Sequence, residues 1–214
     1  MVSPMLISSQ GSKHGDSFWQ APWQRNSAQD LYPFVKRENC HITFSLSHIR
    51  EIPDYPKPGI VFKDITPLLS DGKAFDVVID ALCEGLTHVD IVAGIEARGF
   101  ILASAMATKL GAGFVPLRKA GKLPHHVFSQ AYELEYGSAQ LEIHQDAFPV
   151  GAKIVLVDDV LATGGTLAAA TKLISDVGGV LTQISVLLEI SFLNGRSKIL
   201  ADWPEMRIKA LLSS

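Results

Sequence analysis

Two adjacent carboxylates, Asp158 and Asp159, are followed by the small, hydroxyl-rich run Ala162-Thr163-Gly164-Gly165-Thr166. An ionised Asp only accepts hydrogen bonds, and a vicinal diol offers two donors, so paired acids suit the hydroxyls of a ribose. In the run that follows, Gly164 and Gly165 let the main chain approach a ligand closely. A helix starting there presents unpaired N–H groups and the positive end of its dipole, and Thr163 and Thr166 add hydroxyl donors. Together these make an anion cradle suited to a phosphate monoester. A cradle of this kind beside a diol clamp describes a site for a ribose 5-phosphate. The run is not a Walker A loop, which requires Gly-x4-Gly-Lys-Ser/Thr, nor a GxGxxG dinucleotide fingerprint.

The elements that hold these residues follow from the flanking pattern. Upstream, Ile154 to Val157 is apolar without alternation, as in a strand of a parallel sheet covered on both faces. Asp158 and Asp159 are then expected to emerge at its C-terminal end, where open α/β sheets bind ligands. Downstream, GGTLAAATKLISDVGG reads as a helix ending at Gly178 and Gly179, and VLTQISVLLEI as another buried strand. Earlier in the chain, a helix is expected over 73–87, and VDIVAGIEA as a strand entering a glycine-containing turn. A nearly all-apolar helix, RGFILASAMATKL, closes on Gly111 and leads to a strand, GFVPLRK. This alternation predicts an α/β fold with a mainly parallel sheet flanked by helices. Pro53, Pro56 and Pro58 mark an extended or turning segment ahead of it. Residues 120 to about 140 break the pattern and are expected to form a flexible lid loop, with AQLEIH as its returning strand. The run RKAGK sets Arg118, Lys119 and Lys122 beside that lid, cations suited to a polyphosphate. His125 and His126, in the same loop, have no assigned role.

The chain has 214 residues, 47% of them hydrophobic and 19% charged, with a net charge of −3. This is enough for one domain, expected over 47–214, preceded by an N-terminal extension over 1–46. The extension carries Trp19 and Trp23 but no sustained period, and is expected to be poorly ordered. The slight negative charge gives no reason to expect nucleic-acid binding. No apolar run approaches the ~20 residues of a membrane span. The N-terminus lacks the basic start and apolar stretch of a secretory signal. Cys40 and Cys83 form neither a disulfide framework nor a metal spacing, which suits a reducing compartment, and a cytoplasmic location is expected.

VLVDDVLATGGT resembles the phosphoribosyl-pyrophosphate motif of the type I phosphoribosyltransferases. PDYPKPGIVFKDITPLL, GIEARGFI, VPLRKAGKLP, YELEYG, LEIH and FLNGR resemble, in that order, segments of the adenine phosphoribosyltransferase family. The resemblance covers about residues 47–200; residues 1–46 have no counterpart, and WPEMRIKALLSS matches loosely. It implies the type I phosphoribosyltransferase fold, and transfer of a 5-phosphoribosyl group from phosphoribosyl pyrophosphate to adenine, giving AMP and pyrophosphate. It implies that Ala162, Thr163, Gly164, Gly165 and Thr166 hold the 5-phosphate, and that Asp158 and Asp159 contact the ribose hydroxyls. Arg98 is placed in a catalytic loop facing pyrophosphate, a loop that commonly contains a non-proline cis peptide. Arg118, Lys119 and Lys122 would add cations, assisted by Tyr136. Val61, Phe62 and Lys63 would form the adenine pocket, with Phe62 stacking on the purine and main-chain groups reading its edge. The family often has Arg where this chain has Lys63, a change that matters little where only the main chain meets the base.

Glu135 is placed as the second catalytic residue, accepting the purine proton or orienting the ring, inside a lid that excludes water from the reactive sugar. Magnesium is expected on substrate oxygens rather than in a dedicated protein metal site. A homodimer is implied as well. Two other readings use the same residues. One is the same chemistry on xanthine or guanine, against which VFKDITP and GKLP…YELEYG argue. The other is a regulator that binds phosphoribosyl pyrophosphate without turnover. That reading predicts a DNA-binding module or an eroded lid, yet 1–46 is too irregular for a helix-turn-helix, and Lys122, Glu135 and Tyr136 are present.

Overall fold

The computed structural model of the chain describes residues 47–134 and 137–214. The N-terminal extension, and Glu135 and Tyr136, lie outside the described residues. The described part opens on two short strands, β1 (Arg50–Ile52) and β2 (Phe62–Asp64), then two helices, α1 (Thr66–Ser70) and α2 (Gly72–Cys83). A first crossover unit follows: β3 (Ile91–Ile95), α3 (Arg98–Leu110) and β4 (Gly113–Lys119). A hairpin, β5 (Val127–Leu134) and β6 (Gly137–His144), leads to the second crossover, β7 (Lys153–Leu161), α4 (Gly165–Val177) and β8 (Val180–Glu189). A short 3-10 turn (Ser191–Leu193), α5 (Gly195–Asp202) and β9 (Ile208–Ser213) complete it.

Seven strands form one sheet in the order β5-β6-β4-β3-β7-β8-β9, with β1 and β2 pairing separately. The pairings β3–β4, β3–β7, β7–β8 and β8–β9 are parallel, whereas β6 runs antiparallel to both β4 and β5. The unbroken apolar run of β7 has the expected cause. Val155 and Val157 pack with Leu102 and Met106, while Ile154 and Leu156 pack with Leu167, Leu173 and Ile174. Burying a side chain of this size contributes about 1.5–3 kcal/mol, so a strand covered on both faces is held from both sides.

Two expectations change, and one segment left without an expectation gains a strand. The helix expected over 73–87 stops at Cys83, because Glu84 is extended (φ −57°, ψ 130°) and Gly85 turns with φ 76°. It starts at Gly72 because the Asp71 carboxylate accepts hydrogen bonds from the Lys73 and Ala74 amides at 2.9 and 3.0 Å. The stretch expected as a flexible lid loop is largely sheet. β5 and β6 pair from Val127↔His144 to Leu134↔Gly137, and Phe128 and Tyr132 rest on the core that buries Leu141 and Ile143. Finally, the loosely matching C-terminal dozen contains β9, a full strand beside β8.

Candidate active site

The C-terminal ends of β3, β4 and β7 lie at one edge of the parallel sheet, and the residues with chemistry gather there, as strand direction requires. Asp158 and Asp159 do not clear the end of β7 as expected: its pairing with β8 continues to Leu161↔Glu189. The two acids are not equivalent. Asp159, only 6% exposed, forms an ion pair with Arg98 (Nη2–Oδ2 2.7 Å). Asp158 accepts the Asp159 amide at 2.9 Å, and burial, reinforced by the neighbouring Asp159 charge, pushes its carboxyl well above the ordinary range. Gly99 lets the first turn of α3 lie against them. A Cβ there would stand 2.9 Å from the Val157 carbonyl and 3.0 Å from Asp158 Oδ1.

Ala162, Thr163 and Gly164 form the turn into α4, and Gly165 and Thr166 are its first helical residues. No side chain caps this helix, which leaves its leading N–H groups to a ligand. Gly164 sits at φ 79°, and a Cβ on it would come within 2.6 Å of the Gly195 carbonyl. The reverse contact is tighter: a Cβ on Gly195 would lie 2.1 Å from the Ala162 carbonyl. The FLNGR segment therefore buttresses the turn backbone to backbone. Arg196 holds that segment in place, donating to Glu189 (Nε–Oε1 3.0 Å) and to the Ile208 carbonyl of β9 (2.9 Å). Sequence reasoning matched FLNGR by resemblance but gave Gly195 no role, since nothing in the sequence shows what it touches.

At the proposed base pocket, Val61 is exposed and Phe62 lies partly buried beneath Arg98, whose guanidinium carbon is 4.9 Å from the ring centroid. Tyr55 meets Phe62 edge-on at 5.3 Å. Arg98 Nη1 also reaches the Lys63 carbonyl at 3.5 Å. Arg98 thus bridges the base segment and Asp159. The Lys63 side chain is turned onto Glu51. Asp64 fastens the segment: it accepts the Thr66 hydroxyl (2.6 Å) and Arg50 (Nη2, 2.6 Å). Those bonds, Thr66 first, lower its carboxyl pKa to about 2.

The cation run is organised by an acid that sequence reasoning did not single out. Glu96, joined to Ala97 by a cis peptide, accepts Arg118 Nε at 3.2 Å and the Lys119 amide at 3.1 Å. Burial works to raise its carboxyl pKa, but the Lys119 amide and the Arg118 guanidinium together hold it below the ordinary value. Arg118 Nη1 donates to the Lys122 carbonyl at 3.1 Å. The Arg118 guanidinium thus links Glu96 to the Lys122 carbonyl, and the main chain of the run is held beside the loop that carries Arg98. Among the described residues no group of three or more His, Cys, Asp or Glu is placed to hold a metal ion.

A glycine turn opening an uncapped helix, an acid pair and a loop of cations on one edge of a parallel sheet suit a phosphoribosyl-transfer class, and the family model described as "Phosphoribosyl transferase domain" matches residues 73–198. The chain is 58% identical over 154 residues to the adenine phosphoribosyltransferase of Thermobifida fusca, covering 71% of this chain and 88% of that one. The crystal structure of adenine phosphoribosyltransferase from Thermoanaerobacter pseudethanolicus superimposes with TM-score 0.76 at 48% identity, covering 81% of this chain and 99% of that one. The Saccharomyces cerevisiae enzyme, complexed with D-2,5-dideoxy-2,5-imino-altritol 1,6-bisphosphate and adenine, gives 0.73 at 35% identity, covering 80% and 98%. The chain belongs to the adenine phosphoribosyltransferase family.

Proposed function

We propose that the chain transfers the 5-phosphoribosyl group of phosphoribosyl pyrophosphate to adenine, giving AMP and pyrophosphate. The observation that carries this reading is the shared edge. The turn at 162–166, which opens the uncapped helix α4, follows Asp158 and Asp159 after Val160 and Leu161, and Arg98 links Asp159 to Phe62 of the base segment. In this reading the turn and the first amides of α4 bind the 5-phosphate, and the acids take the ribose hydroxyls. Val61, Phe62 and the main chain at Lys63 receive adenine. The purine N9 attacks the anomeric carbon as its bond to the pyrophosphate oxygen breaks, and the electron pair leaves with pyrophosphate. Arg118, Lys119 and Lys122, with Arg98 and Tyr136, offset the charge that develops there. The N9 proton passes to the Glu135 carboxylate.

The donor set fits magnesium better than a soft metal. Asp158 and Asp159 are taken by the ribose hydroxyls and Arg98, and the hard oxygens left for a metal are those of the substrate, which suits an ion that would keep its contacts to waters and substrate phosphates. When bound, it would neutralise charge on the leaving diphosphate. Assembly as a homodimer and a cytoplasmic location are part of the same reading, and light scattering on the purified chain tests the dimer. No helix among the described residues is long and apolar enough to cross a membrane.

The test is pyrophosphate release from the purified protein with magnesium, phosphoribosyl pyrophosphate and each purine base in turn. Turnover confined to adenine, abolished in Glu135→Ala with phosphoribosyl pyrophosphate still bound, is the expected outcome. Turnover on xanthine or guanine would move the substrate, and tight binding with no turnover on any base would make the protein a regulator.

A further inference from the structure

Glu142 is a buried acid, 8% exposed, on β6 of the hairpin. A buried carboxylate is costly unless its oxygens are satisfied. The strand register sets Glu142 directly opposite Arg118 on β4, the cross-strand neighbour expected to pair with it. Arg118 is engaged elsewhere, with Glu96 and the Lys122 carbonyl. Glu142 instead accepts the Gly121 amide at 2.9 Å and the Ser129 hydroxyl at 3.3 Å.

Gly121 is the pivot of the cation run. It sits between Lys119 and Lys122 at φ 76°, where the chain turns out of β4. β6 is joined to β4 through Arg118↔Glu142 and Lys119↔Leu141, with the Ala120 amide donating to the Gln140 carbonyl at 3.2 Å. Past that point the turn is held by carboxylates from two directions. Glu96 takes Arg118 and the Lys119 amide, and Glu142 takes the Gly121 amide.

We infer that Glu142 is a positioning residue for diphosphate binding, fastening the turn that carries Lys119 and Lys122 to the base of the hairpin. It touches no substrate itself and acts through the Gly121 amide. This rests on the proposed function, in which that turn receives the pyrophosphate group.

The test compares wild type with Glu142→Met, which keeps the volume but removes the acceptor, and Glu142→Gln, which keeps an acceptor oxygen without the charge. Titration calorimetry with magnesium pyrophosphate and, separately, with AMP reads the two halves of the site. In Glu142→Met pyrophosphate affinity falls at least ~10-fold, about 1.4 kcal/mol, while AMP affinity stays within ~2-fold. Glu142→Gln restores pyrophosphate affinity to within ~3-fold of wild type. An unchanged pyrophosphate affinity in Glu142→Met overturns the inference, as does an equal loss for AMP, or a wild type that binds no pyrophosphate. Should Glu142→Met not fold, Glu142→Ala is read in the same way, and failure of both to fold makes Glu142 a folding residue and overturns the inference. Adenine turnover by wild type is measured in parallel. Its absence counts against the proposed function, whereas the binding comparison alone decides the role of Glu142.

Discussion

Replacing Gly195 by Ala should damage, from behind, the turn at 162–166 that the proposed function gives to the 5-phosphate. The added methyl would stand 2.1 Å from the Ala162 carbonyl, 2.8 Å from the Gly164 amide nitrogen and 2.8 Å from Leu161 Cδ1. The first two obstacles are main chain and have no rotamer to escape into. Carbon contacts under 3.0 Å are essentially never seen, so the turn or the start of α5 must retreat by about 1 Å. A displacement of that size in a binding group costs on the order of 100-fold in rate, about 2.7 kcal/mol. Overpacking of this kind also costs about 1–3 kcal/mol of stability, a fall in Tm of roughly 3–10 °C for a domain of this size. The assay is kcat/KM for phosphoribosyl pyrophosphate well below both melting transitions, with Kd for AMP by calorimetry. Gly151→Ala is the control. Its φ of 85° makes a side chain strained, but nothing lies within 4 Å, so it should lower Tm and leave kcat/KM unchanged. A folded Gly195→Ala enzyme within ~3-fold of wild type in kcat/KM would refute the buttress argument.

Asp158→Asn should abolish turnover yet raise Tm at neutral pH. The folded protein raises the Asp158 pKa, so the stability tied to its proton is complete below the ordinary value of 3.8 and is lost as pH rises through the raised one. The stabilisation should therefore vanish in acid, which melting curves across pH would show. Asp64 has the opposite sign: its bonds contribute above 3.8 and are lost as pH falls towards about 2. Urea unfolding of Asp64→Asn against wild type should show a deficit at neutral pH that closes near pH 2. Arg98→Lys loses the planar fork that spans Asp159 and the Lys63 carbonyl, and kcat/KM for adenine should fall ~10–100-fold in steady-state assays. Phosphoribosyl pyrophosphate with magnesium at ~100 times its Kd should add about 2.7 kcal/mol, roughly 5–10 °C in Tm. Thermal melts with EDTA should lose most of that shift if magnesium is carried on the substrate.

The parallel core was readable because its signals are local. RGFILASAMATKL ends at Gly111, which takes φ 65°, and α3 and β4 have the expected bounds. Of the hairpin only the returning strand was readable, as AQLEIH within β6; VFSQAYEL mixes polar and aromatic residues without a clean alternation, and its pairing with β6 is settled by the core under Phe128 and Tyr132. The phosphate turn and acid pair were legible as one continuous run. Glu96, Glu142 and Gly195 were not, because their roles come from what they face across the sheet edge, and a lone Glu or Gly carries no spacing signal. Arg98 was placed by resemblance. Its bridge to Asp159 depends on where α3 starts relative to β7, which no single segment states.

The base segment spends its side chains on holding itself: Lys63 on Glu51, Asp64 on Arg50 and Thr66. In the proposed function the base edge then meets main chain, so the preference for one purine is written in the path of the backbone. Such a preference resists drift at position 63. It is brittle to a change of length, because β1 and β2 pair Glu51↔Lys63 and Ile52↔Phe62. Deleting one residue between Tyr55 and Phe62 would slip that register and turn Phe62 to the opposite face. A laboratory search for a new base preference should therefore vary loop length here before it varies side chains.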